Sequence, residues 1–218
     1  MKNLILLIVS LLILGCATAP KSTLHVTKPE PIVVENERYF DIPFDEVWQW
    51  LVADLSRSFF VINNISKESN LINLSFSAQD AESYVDCGSS SRTYKGETYT
   101  YEIAGPGSYK IAQQAGNNAY YVYDINRDTD LEGRINVYVA PEDNGTRVSV
   151  NVKYIFNVTS TGTAEAIAGV LQISHGQQNI PKETSTISFN TNQEGVQGDV
   201  SCFASGRLET MILDMVEQ

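Results

Sequence analysis

Two alternating runs on either side of Pro141-Glu142-Asp143-Asn144-Gly145 constrain this chain more than any other feature. Ile135, Val137 and Val139 share one face of the stretch Leu131 to Val139. Val148, Val150, Val152 and Tyr154 share one face of the stretch from Arg147 to Phe156. A period of two is the signature of a half-buried strand. Asn-Gly between two such runs is the strongest short-range hairpin signal. The chain is therefore expected to hold an antiparallel sheet with one face in a core.

The clearest helix precedes it. In PFDEVWQWLVADLSRSFF, Pro43 suits a helix start, and Asp45 and Glu46 sit in the first turn, where the dipole favours acids. Phe44, Val47, Trp48, Leu51, Val52, Leu55 and Phe59 recur at three and four, which predicts one long apolar stripe from Pro43 to Phe60. The period then returns to two. Phe60 to Ile65 and Leu71 to Ser77 read as a second hairpin around Lys67-Glu68-Ser69-Asn70.

Arg38 to Ile42 reads as a short strand, and Thr184–Thr191 and Val200–Ala204 as two more. Ala164, Ile167, Ala168 and Leu171 stand at helical spacing and predict a short helix over Thr163 to Ile173. Ser205 can cap a closing helix carrying Leu208, Met211, Ile212 and Met215. From 88 to 118 the chain is rich in Gly, Ser, Gln and Tyr and reads as a loop-rich excursion with room for an exposed hairpin.

The N-terminus speaks about address. Lys2 is followed by an apolar run, Leu4 to Leu14, too short to span a bilayer, which needs ~20 residues. It fits the core of a secretory signal. The run ends Leu14-Gly15-Cys16, which resembles the lipobox of bacterial lipoproteins. That resemblance implies a signal peptide over 1–15 and lipidation of Cys16. With Ala17 rather than aspartate next, it implies the outer membrane. Residues 16–37, with Pro20, Pro29 and Pro31 among polar residues, read as a flexible tether, leaving 38–218 as a single domain.

Three cysteines are present. With Cys16 given to lipid, Cys87 and Cys202 remain, and in an oxidising compartment an even pair reads as one disulfide. Neither C-x-x-C nor a zinc-type Cys/His cluster occurs, and no metal or cofactor is expected. A net charge of −11 argues against nucleic acid, whose binding rests on clustered Lys and Arg.

Asp124, Asn126, Asp128, Asp130 and Glu132 invite a calcium-loop reading. Thr129 and Ile135 stand where an EF-hand needs glycine and glutamate, so an acidic turn is the simpler account. His25 and His175 suit neither a triad nor a metal site. No nucleophile elbow, P-loop or dinucleotide fingerprint is found, so no catalytic residue is assigned and the chain is expected not to be an enzyme. Tyrosines are dense between 84 and 123. Tyr94, Tyr99, Tyr101 and Tyr121 are either half-buried strand residues or a surface for a partner.

The stretch FDIPFDEVWQWLVADLSRSFFVINNISKESNLINLSF resembles the helix-grip domains of the outer-membrane assembly lipoproteins typified by BamC. The resemblance implies an α+β fold: an antiparallel sheet with a long N-terminal amphipathic helix and a C-terminal helix packed on one face. The function expected is that of a non-enzymatic interaction or scaffold lipoprotein. It would be anchored in the outer membrane by acylated Cys16, face the periplasm and engage an envelope protein. A small-ligand or lipid-binding module with a cavity under the long helix is the alternative, and a cell-wall hydrolase with paired carboxylates a third.

Overall fold

The computed structural model describes residues 22–116, 119–168 and 173–216. The signal segment and Cys16 lie outside them. The chain enters through β1 (Ser22–Thr27) and β2 (Glu37–Phe40), then forms α1 (Phe44–Leu55). The hairpin of β3 (Val61–Ser66) and β4 (Leu71–Ala78) follows, then the short β5 (Val85–Asp86). Next come β6 (Ser89–Tyr94), β7 (Glu97–Glu102) and β8 (Gly107–Gly116).

Two strands of 24 residues each, β9 (Ala119–Glu142) and β10 (Gly145–Ala168), form the axis of the molecule. At ~3.3 Å per residue each reaches about 80 Å. After them come β11 (Ile173–Asn179), β12 (Glu183–Asn190), β13 (Gly195–Gln197), β14 (Val200–Ala204) and α2 (Arg207–Leu213).

The β9–β10 ribbon pairs without a slip from Gly145↔Glu142 to Ala168↔Ala119. Other strands flank it in relay. On the β9 side, β4 pairs the proximal half and β8 the distal half. On the β10 side, β2, β12 and β11 follow one another outward. The two turn residues at the proximal end are Asp143 and Asn144, with Asp143 at φ 50°, so Gly145 is already in the strand. Glycine is required there for a second reason. A Cβ on Gly145 would lie 2.2 Å from the Phe40 carbonyl oxygen of the docked β2.

The core belongs to the proximal half. Leu131, Ile135, Val137 and Val139 of β9 and Val148, Val150, Val152, Tyr154 and Phe156 of β10 are buried together with Ile72 and Leu74 of β4. Val47, Trp48, Leu51 and Leu55 of α1 and Leu208, Ile212 and Leu213 of α2 complete the cluster.

The expected α+β, helix-grip architecture is thereby corrected. Strands dominate, in several antiparallel sheets, and the helices are short, 12 residues in α1 and 7 in α2. The helix expected to reach Phe60 ends at Leu55 because serines compete for its last carbonyls. Ser56 Oγ donates to the Ala53 carbonyl at 2.7 Å and Ser58 Oγ to that of Leu55 at 2.8 Å.

The helix expected over Thr163 to Ile173 is also corrected. Its first residues extend β10, where Ala164 and Ala166 pair with Tyr123 and Tyr121, and Ile173 opens β11. Sheet pairing overrides a weak local helical spacing.

The excursion over 88–118 contains three strands, β6 and β7 built largely from Ser, Thr and Tyr, and β8 from Gly, Ala, Gln and Tyr with Ile111 as its one branched aliphatic residue. Residues 22–37, expected as a tether, are held on the domain from Ser22 onward. There β1 pairs β6 from Ser22↔Tyr94 to Thr27↔Ser89, and Val34 is buried, with its N–H donating to Asn192 Oδ1 at 2.7 Å. The expected disulfide between Cys87 and Cys202 is present and ties the end of β5 to β14, closing a separation of 115 residues.

Candidate functional site

The distal half of the ribbon lies beyond both helices, and the sequence-predicted tyrosines gather beside it. The small sheet β1–β6–β7 lies against β8, joined at one point by Ser22 Oγ, which donates to the Ala112 carbonyl at 3.2 Å. The β6–β7 turn is Lys95-Gly96, both at positive φ (50° and 85°), as a tight two-residue hairpin demands.

Between this sheet and the ribbon runs a stack of two rings enclosed by two cations. The Arg92 guanidinium lies 4.3 Å from the Tyr109 ring centre, Tyr109 stacks on Tyr101 at 5.6 Å, and the Arg127 guanidinium lies 4.8 Å from the Tyr101 ring centre.

Arg127 anchors the stack. It is buried, and its fork donates to the carbonyls of Gly105 at 2.7 Å, Ile103 at 2.8 Å and Glu102 at 3.4 Å. Burial pulls its guanidinium below the ordinary range, and the neighbouring Tyr101 and Tyr109 oppose that. Burial likewise raises the Tyr109 phenol, with Arg92 and Arg127 working against it. The result is a rigid clamp holding the turn between β7 and β8 onto β9.

The four tyrosines singled out do not share one platform. Tyr94 is buried, and Tyr101 is locked in the stack. Tyr99 is half-buried and donates to Glu97 Oε2 at 2.7 Å, a bond that raises its phenol. Tyr121 stands apart on β9 near the distal end, 42% exposed, beside Tyr123. Arg92 and Arg127 were missed by sequence reading, and Tyr109 belonged to the dense tyrosine run without being one of the four singled out. The one available signal was a lone arginine inside the acidic run Asp124 to Glu132.

That acidic run is extended strand, so its alternate side chains stand in a row on one face of the sheet and do not wrap an ion. Asp124 pairs with Lys110 at 3.2 Å, and Asp130 accepts from Asn157 at 2.9 Å. Three other carboxylates, Glu82, Asp86 and Glu102, line a cavity of about 290 Å³ beside Cys87 and Gly88. Among the described residues no group of three His, Cys, Asp or Glu side chains is placed to hold a metal ion. The space under α1, where the alternative ligand-binding reading needs a cavity, is occupied by the buried side chains of the core.

The chain matches no family model, no curated protein and no solved structure. The functional reading therefore rests on the molecule itself.

Proposed function

We propose that this chain is an outer-membrane lipoprotein, anchored through acylated Cys16, whose β-ribbon serves as a non-enzymatic interaction module for an envelope protein on the periplasmic side. The observation that carries the reading is the position of β11 as the outermost strand of the distal ribbon. Among the described residues β11 pairs with β10 and with no further strand. The outermost strand of a sheet is a template for main-chain recognition, in which a partner adds a strand and side chains set specificity.

The anchor is supported by the cysteine count. With Cys87 and Cys202 joined, the remaining cysteine is the one that ends the apolar run. Several acyl chains on that residue would hold the domain at a bilayer, since stable anchoring takes more than one chain.

The test has two parts. Intact mass of the membrane-extracted protein should show a chain that begins at Cys16 and carries acyl groups. A photo-crosslinker placed at Gln177 of β11 should capture a discrete envelope protein in intact cells, whereas one at Asp143, at the other end of the ribbon, should not. A clean acylated chain with no β11 adduct refutes the interaction role and leaves the anchor standing.

A further inference from the structure

The proximal sheet has a second face, turned away from both helices. Along β9 the side chains of Arg134, Asn136 and Tyr138 are exposed on it, while Ile135, Val137 and Val139 between them are buried in the core. Asn151 and Lys153 of β10 stand on the same face and are exposed too.

Four of these side chains form a square. In the register of the ribbon Arg134 pairs with Lys153, and Asn136 with Asn151. Neighbouring strands lie about 4.8 Å apart and alternate residues about 7 Å apart along a strand, so each corner holds one hydrogen-bond donor group.

The amide corners are oriented by their neighbours. Asn73 Nδ2 donates to Asn136 Oδ1 at 2.6 Å, and Asn36 Nδ2 donates to Asn151 Oδ1 at 3.2 Å. Asn36 is held in turn by Asn192 Nδ2, which donates to its Oδ1 at 3.4 Å. With each Oδ1 engaged, the Nδ2 groups of Asn136 and Asn151 remain as donors without an acceptor among the described residues.

The cationic corners supply the second observation. Like charges directly opposite one another destabilise a sheet, yet Arg134 and Lys153 are so placed. Among the described residues neither takes part in an ion pair, although the net charge is −11 and Glu132 stands on the same face. Arg147, further along β10 toward the turn, is by contrast neutralised by Glu142 and Glu37. All four corners therefore donate. Their complement is a ligand rich in oxygen acceptors and sparsely anionic.

Tyr138 extends the patch along β9 beyond Asn136 and is 46% exposed. A tyrosine ring in line with amide donors suits a sugar, whose C–H face lies on the ring while its hydroxyl and acetamido oxygens accept from the amides. The surface is open rather than concave, which favours a polymer laid across it over a small molecule in a pocket. A nucleic acid would need clustered cations along its phosphates, and the square offers only Arg134 and Lys153.

We infer that this open face binds the cell-wall glycan, a polymer of acetamido sugars that carries carboxylates on short peptide stems. The carboxylates meet Arg134 and Lys153, the sugar oxygens meet Asn136 and Asn151, and a sugar ring lies on Tyr138. The inference rests on the periplasmic placement proposed above and uses the proximal half of the ribbon, away from β11.

The full chain, expressed with its own leader and extracted in detergent, is sedimented with isolated, protein-free cell-wall sacculi at physiological salt. The variants are Arg134→Gln/Lys153→Gln, Asn136→Ala and a control, Lys28→Gln/Lys182→Gln, which removes the same charge from exposed positions elsewhere. Retention of the Cys87–Cys202 disulfide and of near-UV circular dichroism checks each fold. The native chain and the control should sediment with the sacculi and be released by soluble muropeptides. Arg134→Gln/Lys153→Gln should bind about tenfold more weakly or worse, the scale of a hydrogen bond to a charged group, and Asn136→Ala several-fold more weakly.

A native chain that stays in solution overturns the inference, as does equal sedimentation of native chain and Arg134→Gln/Lys153→Gln. An equal loss in the control means unspecific charge attraction and also overturns it. Release by polyglutamate as readily as by muropeptides assigns the face to an acidic peptide, with the same consequence. Intact mass of the same sample keeps the anchor separate: a chain without acyl groups that still sediments through Arg134 and Lys153 upholds the glycan contact while the anchor falls.

Discussion

The Tyr154 hydroxyl lies within hydrogen-bonding distance of both carboxylate oxygens of Glu209, at 2.8 and 3.0 Å, where neither residue has any exposed surface. Thr191 Oγ1 donates to the same carboxylate at 2.7 Å. This cluster joins α2 to β10 in the middle of the proximal core.

Tyr154→Phe leaves the ring packed and removes one donor. A buried polar atom left without its partner costs about 1–3 kcal/mol, so urea unfolding near neutral pH should show a loss of that size.

The pH dependence separates this from simple loss of packing. Burial, and after it the Glu209 carboxylate, holds the Tyr154 phenol far above its ordinary value of 10.0. With the folded value raised, the contribution is complete below about pH 10 and declines above it, as the unfolded phenol ionises first, at ~1.4 kcal/mol per pH unit. The stability gap between the native chain and Tyr154→Phe should therefore narrow between pH 9 and 11. A constant gap across that range would show that the phenol does not report on this site.

The Cys87–Cys202 bridge should dominate global stability. It closes a separation of 115 residues, and for a loop of ~100 residues the chain-entropy estimate is about 4.7 kcal/mol, with measured values often lower. Reduction, or the double variant Cys87→Ala/Cys202→Ala, should lower the unfolding midpoint by several kcal/mol equivalent. Alkylation of the folded protein before reduction should modify neither cysteine; labelling of both without reductant would refute the bridge.

Arg127 should act locally. Its fork satisfies main-chain carbonyls of Glu102, Ile103 and Gly105, and Lys cannot reproduce that planar geometry. Arg127→Lys and Arg127→Met should both speed amide hydrogen exchange around Ile103 to Gly107 by an order of magnitude or more, corresponding to about 1.4 kcal/mol or more of lost local protection. Exchange in α1 should stay unchanged. Rescue by lysine would mean that charge, not the fork, holds the turn.

What could be read in advance follows burial. Val137, Val139, Val148 and Val150 alternate because the proximal core demands it, and the hairpin was legible for that reason. The Cys87–Cys202 pair was legible by elimination. The distal half was not, because Gly162, Ala164, Ala166 and Ile167 fit a helix as well as a strand until their partners on β9 are known. Arg127 was invisible for a related reason: its partners are backbone carbonyls of a distant turn, and carbonyls leave no trace in residue identity. The helix-grip expectation failed on length. A local pattern around α1 is compatible with many sheets, and nothing in it announces strands of 24 residues.

Gly162 gives the sharpest test that β9 and β10 remain paired through the distal half. It sits at φ 156°, and a Cβ there would lie 2.0 Å from the Asp124 carbonyl oxygen, backbone that cannot swing aside as a side chain would. Gly162→Ala should therefore break the ladder around Ile125 and Gly162, a strain class that costs about 1–3 kcal/mol. The proximal core, carried by Val137, Val139, Val148 and Val150, does not depend on that contact, so the loss should be regional. Hydrogen exchange resolved by segment is the measurement. Protection should collapse over Tyr120 to Arg127 and Thr161 to Ala166 while Leu131 to Val139 keeps its native rates. Uniform loss across both halves would instead mean that the ribbon folds as one cooperative unit from end to end.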